Sequence, residues 1–525
     1  MKLTYTIIMQ GGERLAGERE LSAGALRIRE TLPQGRIAAV EAWLPLSVAA
    51  DEKIFMNGYQ SWTFCPERDR DGRTPPPKPM PGLITRYYGI DRYGDYHFVP
   101  YPDRPGVTHG ESYCYFRRGE RFRLLASLDE GNGYTLFRYD SAAERLSIGR
   151  DCGGLAWSGD FAALELFYAE GSEEEVFDAW FEAMGIRPRT TEKLAGYSSW
   201  YNRYQKIDRR SIMSDLEGCA KVLRPEDLFQ IDDGWEKAVG DWLEPDAKKF
   251  PQGMGAMAEE IHGRGLKAGL WLAPFVCQKS SALMREHPDW LLQVEGQPWY
   301  CGCNWGGFYS LDIDRPEVCD YVERSLRRAV EDWGFDLVKL DFLYGAAPFG
   351  NERETRAGRM KRAMELLRRA CGDKLILGCG VPLFPAFGLV DYCRIGCDVG
   401  LDWRNNFLIR DANREHVSTI RSLLNSVFRR ELNGRAFMND PDVFFLREKN
   451  LRLTAEQKHI LATVNSLFGG LLLCSDDMSE YSTGALAQYA ALLKNREASD
   501  IRVEADGGLC VGYGVDGARE RLVIE

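Results

Sequence analysis

The stretch DLVKLDFL, residues 336–343, sets two opposite charges, Lys339 and Asp341, inside an otherwise apolar run. A buried charge is costly unless it is paired or used, so a strand of this kind should carry none without a reason. Side chains alternate along a strand, which turns Lys339 and Asp341 to one face and Leu340 and Phe342 to the other. The two charges share a surface. It is either a packed ion pair or the mouth of a site, and the rest of the chain decides between them.

Outward from that stretch, from about residue 194, strand and helix patterns alternate. The candidate strands are AGYSSWY (195–201), DLFQIDD (227–233), KAGLWLAPF (267–275), DLVKLDFL itself, LILGCGVP (375–382), YCRIGCDV (392–399), AFMNDPDV (436–443) and GGLLLCSDD (469–477). Between most of them lie stretches with apolar residues three and four apart, such as Val318, Tyr321, Val322, Leu326 and Val330 in PEVCDYVERSLRRAVEDWG. Apolar strands alternating with amphipathic helices imply a parallel sheet covered by helices, and eight repeats fit a (β/α)8 TIM barrel within an α/β class. An open doubly wound sheet is the runner-up. It would want a glycine-rich loop between an early strand and a helix, whereas GRGLKAG (263–269) leaves a helix and enters a strand.

Upstream, residues 1–190 read as a different unit. Short alternating stretches (LRIRETL, YTLFRYD, ALELFYAEG) separated by Gly, Asp and Pro predict a β-sandwich. Inside it, residues 56 to 106 form a long irregular segment holding NGYQSW, RTPPPKPMPG and RYYGIDRYGDY. Loops this long are usually functional or disordered, and the aromatic content favours a loop that covers something. The expected domains are 1–190, a barrel over 191–478, and a short C-terminal β domain over 479–525.

Composition narrows the function. Over 525 residues, 44% hydrophobic and 28% charged describe an ordinary globular protein. A net charge of −11 argues against nucleic acid as a partner. The opening MKLTYTIIMQ lacks a signal-peptide pattern, and no apolar run reaches the ~18 residues of a membrane span, so no membrane partner is expected. Fourteen scattered cysteines suit a reducing compartment, and the expected location is cytoplasmic. The close pairs Cys301/Cys303 and Cys393/Cys397 have no histidine near them, so neither a metal nor another cofactor is expected.

On a barrel, the polar residues of the strand ends gather at one rim, where active sites form. Trp200 ends the first strand, Asp232 and Asp233 the second, and Trp271 lies in the third. Lys339 and Asp341 are in the fourth, Cys379 in the fifth, Arg394 and Asp398 in the sixth, and Asp440 and Asp442 follow the seventh. One such Asp is readily a helix cap or turn residue; acids on so many strand ends are harder to explain that way. The histidines, His97, His109, His262, His287, His416 and His459, avoid the strand ends, which disfavours a Ser-His-Asp triad or a histidine-based metal site. Two carboxylates, aromatic platforms and charged donors are what glycoside cleavage needs. Acid clusters could instead hold Mg2+ with a phosphorylated substrate, but no basic phosphate-binding strand end accompanies them.

The stretches LFQIDDGWEKAVGDW, FPQGMGAMAEEIHGRGLKAGLWLAPF, HPDWLL, LDIDRPEV, VKLDFLYGA, RIGCDV and NDPDVFFLR, in this order, resemble glycoside hydrolase family 36, the α-galactosidase (melibiase) family of clan D. The resemblance covers roughly residues 54 to 480. It implies an N-terminal β-supersandwich, a catalytic barrel and a C-terminal β domain, with double displacement on terminal α-galactosides. By position, Asp341 would be the nucleophile and Asp398 the general acid and base. Lys339 would hold a hydroxyl, Asp232 and Asp233 would grip O4 and O6, and Arg394 would lie near the 2-hydroxyl. Trp200, Trp271 and Cys379 would line the pocket, and Trp62 would reach over it. A retaining pair implies carboxyl groups roughly 5 to 6 Å apart. Arg394 and Asp398 would be roughly 13 Å apart on an extended strand, so a turn near Gly396 is required.

Departures accompany the likeness. Common members carry CSGGGGR, an SDNTD-like motif and GLWFEPE where this chain reads LGCGVPLFPAFG, RIGCDV and GLWLAPF, and the C-terminal region is short. α-N-Acetylgalactosaminidase, galactosaminidase or galactosyl transfer therefore stand as alternatives, as does a non-catalytic carbohydrate-binding protein, although both catalytic positions hold aspartate. Related enzymes are often oligomers, so a homo-oligomer is also expected.

Overall fold

A computed structural model describes residues 1–404, 412–504 and 508–524. Its barrel sheet contains all eight expected strands: Leu194–Ser198, Leu228–Ile231, Lys267–Leu272, Leu337–Leu340, Leu375–Gly378, Tyr392–Arg394, Met438–Asp440 and Leu471–Cys474. Neighbours pair in parallel in that order, and the eighth pairs back on the first. The seventh strand is broken. Pro441 has no N–H for the ladder and Asp442 takes a positive φ of 72°. The chain resumes as Val443–Phe444, and this second piece pairs with the eighth strand. The break completes the ring and swings the Asp442 carboxylate toward the sixth strand.

Helices fill most crossovers. In Pro316–Arg327, Val318, Tyr321, Val322 and Leu326 are buried as the spacing predicts, and the last turn widens into a π-type turn, Arg328–Asp332, that buries Val330. Between the fifth and sixth strands the helix is reduced to Leu383–Ala386. The helix after the eighth strand, Thr483–Asn495, lies beyond residue 478 and packs on Ala455–Phe468, so barrel-type structure continues past the expected boundary.

The N-terminal region is all antiparallel up to Gly171. Its organising element is the 22-residue strand Gly24–Pro45, whose first half pairs with Ala156–Gly171 and whose second half pairs with Lys2–Met9 and Arg145–Arg150. One strand thus serves both layers of the sandwich. Between the layers lies an apolar core that includes Ile28, Leu44, Phe137, Phe161 and Leu164. A helix, Glu173–Met184, follows; Ser172 and Glu175 form its capping box and it buries Val176, Phe177, Trp180 and Phe181. At the other end Ser499–Glu504, Leu509–Val515 and Ala518–Ile524 make a small antiparallel sheet.

The irregular segment after Lys53–Met56 lies on the C-terminal rim of the barrel. The Ser61 N–H donates to the Val381 carbonyl at 2.9 Å, and the Phe64 N–H to the Arg414 carbonyl at 3.0 Å. Arg429, fully buried, fastens the two regions: its guanidinium donates to Asn57 Oδ1 and to the carbonyls of Ser61 and Ile395 at 2.7 to 3.1 Å. A buried guanidinium is tolerable because acceptors surround it.

Candidate active site

At that rim a cavity of about 480 Å³ opens. Eight of the ten expected site residues line it: Asp341, Asp398, Asp232, Asp233, Lys339, Trp200, Trp271 and Trp62. Lys339 is the last strand residue but one, and its ammonium meets Asp232 Oδ2 at 2.9 Å. The partner of the lysine in DLVKLDFL is thus an acid from the second strand. Burial opposes the Lys339 charge, but Asp232 foremost, with Asp341, outweighs it and raises the pKa.

Asp341 is pinned at both oxygens. Trp271 Nε1 donates to Oδ2 at 3.0 Å, and the Phe342 N–H donates to Oδ1 at 2.8 Å. That second bond comes with a left-handed Phe342, φ 53°, an unusual conformation for a bulky residue that here bends the chain away from the strand. The two acidic residues after the second strand differ in occupancy. Asp232 is saturated: Lys339 and Gln230 donate to Oδ2, and the Asp233 N–H donates to Oδ1. Asp233 Oδ2 accepts from Trp305 Nε1 and Gln205 Nε2, both at 2.8 Å, and its carboxylate also shares a hydrogen bond with the Glu236 carboxyl, whose pKa burial and then Asp233 push up.

Asp398 faces the same cavity with 38% of its side chain open to it. Burial in this deep recess pushes its pKa up; Arg394 and Lys339 oppose the shift, and Asp341 and Asp232 reinforce it. Arg394 and Cys379 differ from expectation in being set behind the wall. Arg394 is 2% exposed, and its guanidinium is divided among Asp398 Oδ1 at 2.8 Å, Asp440 Oδ2 at 2.8 Å and Asp442 Oδ1 at 3.0 Å. Each of its three nitrogens thus faces a carboxylate, and its burial sets the guanidinium behind the cavity lining. Asp442, which also accepts from Tyr201 Oη at 2.7 Å, has its pKa raised to about 6, by burial first and against the pull of Arg394. The turn at Gly396 exists, but the glycine is required by close approach: a Cβ there would lie 3.0 Å from the Ser422 Cα.

Cys379 accepts from Trp62 Nε1 at 3.4 Å and so sits beneath the tryptophan that crosses from the N-terminal region. Gly380, φ 57°, makes room, since a Cβ on it would meet the Trp62 ring at 2.8 Å. Phe342 and Tyr344 pack edge-on to the indole. Trp62→Ala is therefore expected to raise KM for a sugar substrate by about tenfold, one aromatic contact's worth, with a smaller change in kcat. Michaelis–Menten analysis checks this; an unchanged KM would mean the indole only fills core space.

Sequence reasoning missed several wall residues. Trp305 lay inside YCGCNW, where only the cysteines drew notice, and Gln205 follows the first strand without any local signal. Tyr93 comes from the long irregular segment, which does cover the cavity, and His416 from the loop after the sixth strand. Among the described residues one buried cluster, Asp95, His109 and Glu111, has metal-ligand spacing. It lies in the N-terminal region, where Arg414 approaches Asp95 to 3.6 Å and His109 Nε2 lies 2.8 Å from it. Its charge is balanced by the guanidinium as it stands.

A barrel rim carrying paired carboxylates, a lysine and tryptophans defines a carbohydrate-active site of the glycoside hydrolase class. The family model described as Melibiase matches residues 197–366. The α-galactosidase TtGalA of Thermus thermophilus, solved with p-nitrophenyl α-D-galactopyranoside, is 29% identical with a TM-score of 0.75, and 98% of each chain is covered. In its complex with stachyose the match is 30% identical, TM-score 0.72, over 93% of this chain and 99% of that one. An α-galactosidase of Lactobacillus acidophilus is 34% identical over 151 residues, 27% of this chain and 20% of that protein. The sequence matches thus span only about a fifth of such curated relatives. The chain belongs to glycoside hydrolase family 36, the melibiase family. No helix among the described residues is long and apolar enough to cross a membrane.

Proposed function

We propose that the protein is a retaining glycoside hydrolase that cleaves terminal α-galactosides, with Asp341 as nucleophile and Asp398 as general acid and base. The observation that carries this reading is the contrast between the two acids on one cavity. Asp341 is held by donors at both oxygens, which aims it into the cavity. Asp398 has its pKa raised, which favours the protonated form that a leaving oxygen requires. The anomeric carbon is attacked by Asp341 while Asp398 gives up its proton; water, deprotonated by Asp398, then releases the sugar. Lys339 and Trp62 position the ring. Arg394 acts through Asp398, as a positioning residue.

The sugar is read by Asp233. Asp233 lines the cavity beside the Lys339–Asp232 pair, and galactose offers an axial O4 beside O6, which a gluco-configured sugar does not. kcat/KM for a nitrophenyl α-galactoside is expected to exceed that for the α-glucoside by at least about 10- to 100-fold. The N-acetylgalactosamine and galactosamine glycosides should fall below the galactoside, and Asp233→Asn should lose both rate and preference. The four nitrophenyl glycosides, assayed side by side, decide it; preference for the glucoside or the N-acetyl sugar would overturn the substrate assignment.

The same proposal covers organisation and place. The β-sandwich, the barrel and the C-terminal sheet act as three domains, near 1–190, from 191 through the helix Thr483–Asn495, and over the sheet that starts at Ser499, and a cytoplasmic location is supported by fourteen free cysteines.

A further inference from the structure

The cavity has a second side. The segment 412–417 is tied to the proposed acid, because the Ser418 N–H donates to the Asp398 carbonyl at 3.0 Å. It comes off the sixth strand, across an eight-stranded ring from the second strand, which carries Asp232 and Asp233. What lies beside 412–417 therefore faces the leaving group and not the sugar that is cleaved off.

Two acceptor groups on this wall are left incompletely supplied with donors. Asn413, 8% exposed, spends its Nδ2 on the Ile90 carbonyl at 2.8 Å, and its Oδ1 has no partner. Glu415, 6% exposed, accepts from Tyr96 Oη at Oε2, 2.7 Å, and from the Thr63 hydroxyl, which leaves its carboxylate short of the donors its four lone-pair positions can take. Both residues line the cavity, with Tyr88, Ile90 and Tyr93 from the N-terminal region opposite Asn304. Tyr93 Oη donates to Asn304 Oδ1 at 3.1 Å, which fixes that side. Buried acceptors left empty in the free protein are costly and are natural positions for a ligand's donors.

Resting on the reading of the reaction given above, we infer that Asn413 and Glu415 determine leaving-group specificity, each accepting a hydroxyl from a sugar aglycone. An aryl aglycone brings no donors and gains nothing from them. Asn413→Leu keeps the branched shape and removes the acceptor together with the donor to the Ile90 carbonyl; Glu415→Gln keeps shape and removes the charge. The test compares kcat/KM for α-galactosyl-1,6-glucose and for p-nitrophenyl α-galactoside in wild type and in both variants.

Each variant should lose about 10- to 100-fold on the disaccharide and less than about threefold on the aryl glycoside. Equal losses on both substrates, or no loss on either, would overturn the subsite. Because the two residues hang on different partners, misfolding of one variant, seen by its melting temperature, leaves the other to decide. Wild type inert toward both α-galactosides would instead overturn the reading of the reaction, and the subsite with it.

Discussion

Asp341→Ala is expected to abolish turnover of every α-galactoside, by about 10⁴-fold or more, whatever the leaving group. As the proposed nucleophile its carboxylate oxygen would form the bond of the first step, and the groups that hold it, Trp271 Nε1 and the Phe342 N–H, are donors that cannot take over that role. Asp398→Ala should behave differently. Loss of the acid costs about 10² to 10⁴-fold where the leaving oxygen must be protonated, as in a disaccharide. An activated aryl glycoside should lose much less in glycosylation, and azide should restore part of its rate by attacking the covalent intermediate without base assistance. Steady-state rates on both substrates, with and without azide, check the pair. Equal losses in both variants for both substrates would reverse or void the assignment of roles.

The strands were legible because each is a short apolar run bounded by turn residues, yet all but the broken seventh end before the expected stretch does. DLVKLDFL pairs only over Leu337–Leu340, and YCRIGCDV only over Tyr392–Arg394. The surplus residues leave the ladder because they carry the site: Asp341 and Phe342 need a left-handed bend, and Asp398 needs the return at Gly396. Alternation put Lys339 and Asp341 on one surface, which both do share. It could not say that Lys339 pairs with Asp232, because that contact spans 107 residues. Pairings across the barrel follow from closure of the ring, and local pattern carries no information on them.

Arg394 illustrates the same limit with larger consequences. Motif position suggested a hydroxyl donor; its neighbours make it the counter-ion of three carboxylates. Asp440 meets it as its register partner on the seventh strand, and Asp442 reaches it after the break at Pro441, which reads in the sequence as a mere turn. Cys379 makes a parallel case, since a residue expected to line the pocket instead accepts from Trp62, which does line it.

Arg394→Leu should therefore cost stability and move the pH profile together. Removing the cation leaves buried carboxylates uncompensated, a loss of about 3 to 5 kcal/mol near neutral pH. The acids' folded-state pKa values, already raised for Asp398 and to about 6 for Asp442, would rise further. A carboxyl raised in the folded state favours folding below its unfolded pKa and loses that contribution as pH rises through the folded value. The deficit of the variant should accordingly be largest above about pH 6 and shrink on acidification, which denaturant titrations from pH 4 to 8 would reveal. In activity, Arg394 is the strongest influence lowering the Asp398 pKa, so its loss keeps the acid protonated to higher pH. The alkaline limb of kcat/KM should move upward even as the maximum falls. A stability loss that does not vary with pH, joined to an unmoved alkaline limb, would mean that Arg394 meets the substrate directly and that the three carboxylates are not its charge partners.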